Sequence, residues 1–199
     1  RNTDPEHLAR FYTSLEHIRS TRYDGMIITG APVETIPFED VDYWDELVAI
    51  MDYSRRNVYS TLHICWGAQA GLYYHYGIDK YQMPEKLSGV FEHKRLDDHI
   101  PLFRGFDERF PVPHSRYTDV RLSDVTAEPQ LEVLATSDRA GFCVASAYEG
   151  RQVFITGHLE YEVDTLAYEY RRDRDKGLDT AIPEDYFPDN DPSKPPLAT

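Results

Sequence analysis

Cysteine is scarce. The 199 residues hold two, Cys65 and Cys143, far apart and without the paired spacing of a disulfide framework. A reducing, cytoplasmic setting is the natural reading. No run of about 18 apolar residues occurs, so the sequence offers no membrane-spanning helix. Positive charge is short as well: 21 Lys and Arg against 35 Asp and Glu leave a formal net charge of −14. That balance argues against nucleic acid or an anionic membrane as a main partner, because both need a basic footprint. The opening RNTDPEHLARFY is polar and helical in pattern, unlike a secretion signal. An initiator Met is missing and the chain breaks off after Lys-Pro-Pro-Leu-Ala-Thr, which reads as a segment of something longer. Internal repeats are absent.

What is present is ordinary globular composition, 41% hydrophobic, 13% aromatic and 28% charged. The length suits one α/β domain over 1–187, followed by a Pro/Asp-rich tail over 188–199. Leu8, Phe11, Tyr12, Leu15 and Ile18 recur at helical spacing and predict a helix over 5–20. Met26-Ile27-Ile28, closed by Gly30 and Pro32, reads as a buried parallel strand. A helix over 42–56 follows, with Asp42 as its N-cap. VYSTLHIC (58–65) reads as a second strand running straight into a small-residue helix over 66–77. Residues 142–148 and 152–157 predict a hairpin turned at Glu-Gly, and 162–176 a charged helix. The middle, 80–135, is rich in Pro, His and Asp and looks less regular. Strand–helix alternation in the first third predicts a flavodoxin-like open, mostly parallel sheet with helices on both faces.

Two constellations carry chemistry. Cys65 ends a strand and opens a helix, and active groups collect outside the carboxyl ends of strands in open α/β sheets. A helix N-terminus favours the nucleophilic thiolate, and Gly67 and Ala68 let the helix pack close. This is the logic of a nucleophile elbow, although His63 stands where such a turn has glycine. By itself Cys65 reads more readily as a buried core thiol than as a nucleophile. The second constellation is Gly157-His158-Leu159-Glu160, again after an apolar strand. Residues two apart on extended backbone point the same way, so Glu160 can orient His158 as a general base. The bland alternative is a surface loop histidine. A nucleophile and an oriented imidazole at two strand ends favour catalysis over either alternative.

The stretches YDGMIITGAPVE, STLHICWGAQAGLYYHYGI, EKLSGVFEH, LFRGFDERF, PHSRYT, VFITGHLEY and YFPDNDP resemble the homoserine O-acyltransferase family of methionine biosynthesis. More broadly, Cys at an elbow followed by His-x-Glu resembles the class I glutamine amidotransferase-like fold. The resemblance runs over nearly the whole chain, and family members extend further at both ends. It implies a ping-pong transfer in which Cys65 takes the acyl group from an acyl-CoA and His158, steadied by Glu160, deprotonates the homoserine hydroxyl. The Trp66 backbone N–H would meet the oxyanion, with a second, unnamed donor on a facing loop. Lys86, Ser115 and Arg172 would bind homoserine; without the resemblance they read as two solvated charges and a turn hydroxyl. Glu34 matches the position that separates acyl donors, Gly with succinyl-CoA and Glu with acetyl-CoA, because a carboxylate there repels a succinyl group's second carboxylate.

The expected partners are therefore acetyl-CoA, as a co-substrate rather than a cofactor, and L-homoserine; a homodimer is left open. No metal is expected, since His63, His75, His93, His99 and His114 show no ligand spacing and no cysteine company, and Cys143 reads as core. Alternatives are a succinyltransferase, a glutamine amidotransferase or γ-glutamyl hydrolase with the same triad, and a non-catalytic binding domain. The hydrolases usually carry His-Pro-Glu and a Gly before the nucleophile, where this chain has Leu159 and His63.

Overall fold

A computed structural model describes residues 7, 10, 12–97 and 100–197. Its centre is a seven-stranded sheet: β1 (Tyr23–Ile28), β2 (Val58–Ile64), β3 (Lys80–Arg95), β4 (Arg109–Val120), β5 (Glu132–Ser137), β6 (Gly141–Ala147) and β7 (Gln152–Ile155). The spatial order is β1-β2-β7-β6-β5-β3-β4. The helices are α1 (Leu15–Ile18), α2 (Trp44–Asn57), α3 (Trp66–Tyr76), α4 (Leu122–Ala127) and α5 (Thr165–Asp175). None of the described helices is long and apolar enough to cross a membrane.

The α/β expectation holds, with a correction to the sheet. Only β1–β2 and β2–β7 pair in parallel; the other neighbours are antiparallel, so the sheet is mixed rather than mostly parallel. The βαβ pattern is visible early in the sequence, whereas the antiparallel half lies in the stretch that looked irregular. Pro84 falls where the β3–β4 register shifts, between Gln82 and Leu87, and Pro111 and Pro113 lie in β4. Prolines lower a strand reading, yet a bulge or an unpaired N–H position tolerates them.

Two further expectations change. Leu8 and Phe11 lie outside the described residues; 12–14 are not helical, and α1 buries none of its residues. The cap of α2 is Tyr43 rather than Asp42, without a side-chain cap bond. Asp45 and Glu46 in its first turn and Arg55 and Arg56 in its last still complement the helix dipole.

Burial divides by face. Ala68 and Leu72 of α3 pack with Phe142 and Phe154, while Trp66 and Ala70 join Trp44, Leu47 and Met51 of α2 over Ile28. The opposite face gathers Val112, Cys143, Val144, Val153 and Ile155 under Phe103, a cluster without a residue of the described α-helices. α5 packs its Leu166 and Ala167 with Val90, Tyr186 and Phe187.

Candidate active site

β2 delivers Cys65 to the carboxyl edge of the sheet. Its N–H donates to the Ile155 carbonyl at 2.7 Å, and its carbonyl accepts from Ala68 and Gln69 at 2.9 and 3.1 Å. The residue sits at φ 51°, ψ −119°. A left-handed non-glycine backbone costs roughly 1–3 kcal/mol and persists only where its surroundings over-determine it. Gly67 shows what enforces it: a Cβ there would lie 2.5 Å from the Ile28 carbonyl oxygen and 2.8 Å from that of Thr29. The helix thus starts hard against the end of β1. His63 fills the space left by Gly71, where a Cβ would lie 2.7 Å from His63 Nδ1. Moving the small residue onto the helix accommodates a histidine two residues before the thiol.

β7 ends at Ile155, and the following turn is pinned on all sides. Thr156 donates from N–H to the Cys143 carbonyl at 2.9 Å and from its hydroxyl to that of Phe142 at 2.7 Å. Gly157 N–H bonds to Cys143, and His158 N–H donates to the Pro113 carbonyl at 2.8 Å. His158 is buried; its Nδ1 lies 2.7 Å from Glu160 Oε1, and its ring stacks on Tyr161 with centroids 4.2 Å apart. Burial disfavours the imidazolium, but hydrogen bonds with Cys65 and Glu160 overcome it and raise the His158 pKa to about 10. The structure thus brings Cys65, His158 and Glu160 together, with the imidazole bonded to both the thiol and the carboxylate.

Trp66 N–H, in the first turn of α3, has no intrahelical acceptor. The loop facing it is Gly30's: a Cβ on Gly30 would lie 3.3 Å from Cys65 Cβ and 3.4 Å from the Trp66 nitrogen. The loop that follows β1 therefore faces the Trp66 nitrogen and the thiol.

β4 links the remaining residues. Along one strand edge, Pro113 holds His158, Ser115 is buried, and Tyr117 N–H donates to Glu34 Oε2 at 2.7 Å. Burial raises the Glu34 pKa, opposed by the N–H groups of Tyr117 and Thr118 and by the charges of Lys86 and Arg116. Glu34 also lines a cavity of about 230 Å³ with Phe38, Tyr73 and Lys80. Lys86 Nζ lies 5.5 Å from the centre of the Tyr117 ring. Lys86 and Arg172, distant in sequence, both bond to Asp173. Tyr161 ties the two halves, since its hydroxyl donates to Glu169 at 3.1 Å, one turn before Arg172. Sequence reasoning missed Asp173, Tyr161 and Glu169. The Tyr that closes GHLEY was a signal for one of them; the charges of α5 hid the other two.

The structure also overturns the statement that the histidines lack cysteine company. His93, His114 and Cys143 are buried with potential ligand atoms within 4.8 Å of one another. The histidine ring nitrogens are engaged in hydrogen bonds with each other, with Arg116 and with the Phe91 carbonyl. Arg116 Nε donates to His114 Nδ1 at 3.3 Å, which obliges His114 Nε2 to carry the proton it shares with His93 Nε2 at 3.2 Å. His93 Nδ1 then donates to the Phe91 carbonyl at 2.8 Å. The chain of donors is complete, and a guanidinium at its head disfavours a cation. Its visible effect is to pack the floor beneath Gly157.

A family model described as homoserine O-succinyltransferase matches residues 1–199. A homoserine O-acetyltransferase of Geobacillus kaustophilus is 57% identical over 199 residues, which are all of this chain and 66% of that protein. One of Clostridium acetobutylicum is 53% identical with the same coverage, and one of Methanomethylophilus alvi is 56% identical over 99% of this chain and 64% of its own length. The chain thus spans about two thirds of the curated relatives it matches. Among solved structures, a glutamine amidotransferase from Thermotoga maritima aligns with a TM-score of 0.60 at 16% identity, over 75% of this chain and 63% of that one. A glutamine amido transferase from Methylobacillus flagellatus aligns at 0.56 and 12%, over 90% and 84%. These likenesses establish the glutamine amidotransferase-like fold, and the family match over all 199 residues places the chain in the homoserine O-succinyltransferase family.

Proposed function

We propose that the protein is a homoserine O-acetyltransferase, moving acetyl from acetyl-CoA through a Cys65 thioester to the L-homoserine hydroxyl. The observation that carries this reading is the Cys65–His158–Glu160 array at the edge of β2 and β7. Cys65 attacks the thioester carbonyl, with the Trp66 N–H and the Gly30 loop facing the developing oxyanion. Collapse expels the CoA thiolate, which takes the proton from His158. Acylation of Cys65 removes its bond to the imidazole, one of the two that raise the His158 pKa. His158 is then a neutral base, able to take the hydroxyl proton of homoserine as the oxygen attacks the acyl group. Cys65 leaves as thiolate and the starting pair is restored.

Lys86, Ser115 and Arg172 suit the acceptor, because an amino acid's carboxylate needs fixed cations. Glu34, held by backbone N–H groups, suits selection of an uncharged acetyl group over succinyl. The relatives' names support the acetyl donor. Chemistry of this kind belongs to methionine biosynthesis in a reducing cytoplasm and needs no cofactor or metal. The test is intact-protein mass spectrometry with each donor and no acceptor. An acetyl adduct on Cys65, discharged by L-homoserine, is expected; a preferred succinyl adduct would overturn the donor assignment. Absence of both, with glutamine hydrolysed, would place the protein among the amidotransferases.

A further inference from the structure

The two cations assigned to the acceptor are held by a third residue. Asp173 is almost wholly buried, its side chain 5% exposed. Oδ2 accepts from Lys86 Nζ at 3.0 Å, and Oδ1 accepts from Arg172 Nε and Nη2 at 2.8 and 2.7 Å. Burial opposes its charge, yet the bonds from Lys86 and Arg172 hold its carboxyl below the usual range. Lys86 comes from β3 and Asp173 from α5, so their pair also joins the helix to the hairpin.

Joining elements does not by itself account for the arrangement. An apolar contact would dock α5 as well, since removing two charges from water offsets much of what they gain from each other. Both cations also keep donors in reserve. An ammonium has three and a guanidinium five, whereas the bonds to Asp173 use one from Lys86 and two from Arg172. Because both heads converge on one carboxyl group, a second carboxylate arriving beside it meets both at once.

We propose that Asp173 is a positioning residue for the amino-acid acceptor, setting Lys86 and Arg172 at the spacing that receives its α-carboxylate. This rests on the reading of Lys86 and Arg172 given above. In Asp173→Asn the amide turns a donor toward one of the cations, which then swings away, while the Cys65 array is untouched.

The experiment uses the full-length protein and separates the half-reactions. A burst of CoA release without acceptor reports acylation of Cys65; steady-state turnover against L-homoserine reports transfer. Asp173→Asn is expected to keep the burst and to raise the homoserine KM by about 10- to 100-fold, the scale of lost charged hydrogen bonds. Its preference for homoserine over the same amino alcohol lacking the carboxylate falls with it, and Asp173→Glu recovers part of both. An unchanged KM and preference would overturn the proposal. So would burst and turnover falling together with the melting temperature, which would mark a purely structural role. If the wild type shows a burst but homoserine does not discharge it, the acceptor reading itself fails, and that outcome is visible before any variant is made.

Discussion

Replacing Glu160 by Gln tests how the imidazole is controlled. Glu160 Oε1 lies 2.7 Å from His158 Nδ1, and its side chain is 45% exposed. A hydrogen bond to a charged partner contributes about 1.5–3 kcal/mol when shielded. Solvent screening at this exposure reduces it to about 1–2 kcal/mol, a loss of ~5- to 30-fold in kcat/KM. The pH profile gives the sharper readout. Cys65 and Glu160 together raise the His158 pKa to about 10; removing one anionic partner lowers it. The basic limb of the kcat/KM profile for acyl-CoA, which reports the free enzyme, therefore moves to lower pH in Glu160→Gln. Measuring acylation rates from pH 6 to about 10.5 in both proteins decides the matter. A variant within twofold of wild type, with its basic limb unmoved, would refute the claim that Glu160 maintains the imidazolium.

Other consequences follow from the same structure. Gly67→Ala usually stabilises a helix by nearly 1 kcal/mol, but here the added Cβ meets backbone at 2.5 Å. The expected result is destabilisation by about 1–3 kcal/mol with loss of activity, seen as a lower urea midpoint; a stabilised, active variant would show that the close approach is not required. Burial lowers the pKa of His63 to about 3 and of His75 and His93 to about 4. The unfolded chain binds more protons than the folded one below the ordinary histidine value near 6.5, so stability present above it is lost as pH falls toward 4. Urea midpoints should drop between pH 7 and about 5, and equal midpoints would contradict these burials. Glu34→Gly should raise the succinyl-to-acetyl ratio of Cys65 adducts by about tenfold or more, as expected when a charge repulsion is removed; an unchanged ratio would show that Glu34 is not the selector.

The elbow and the His-x-Glu turn were legible because their chemistry is local. A strand's end, a thiol, small residues and a helix follow one another in 58–77, and Glu160 sits two residues from His158. What was hidden depends on pairing across the fold. β3 and β4 contain Pro84, Pro111 and Pro113 among charged residues, and only their partnership shows them to be strands. His93, His114 and Cys143 meet because that hairpin curls over the sheet, and spacing along the chain carries no trace of it. Asp173 stands in the run Arg171-Arg172-Asp173-Arg174-Asp175, where a solvated helix face is the natural reading. Its burial appears only once β3 brings Lys86 against it.

The central claim is that Cys65 carries the acyl group. The most direct measurement is the intact mass of the full-length protein after mixing with acetyl-CoA, beside Cys65→Ser and Cys143→Ser. The account predicts one acetyl group on wild type and Cys143→Ser, none held as a thioester in Cys65→Ser, and complete discharge by L-homoserine with formation of the O-acetyl ester. An acetyl group that stays on Cys65 when homoserine is added, or product formed at the wild-type rate by Cys65→Ser, would contradict it.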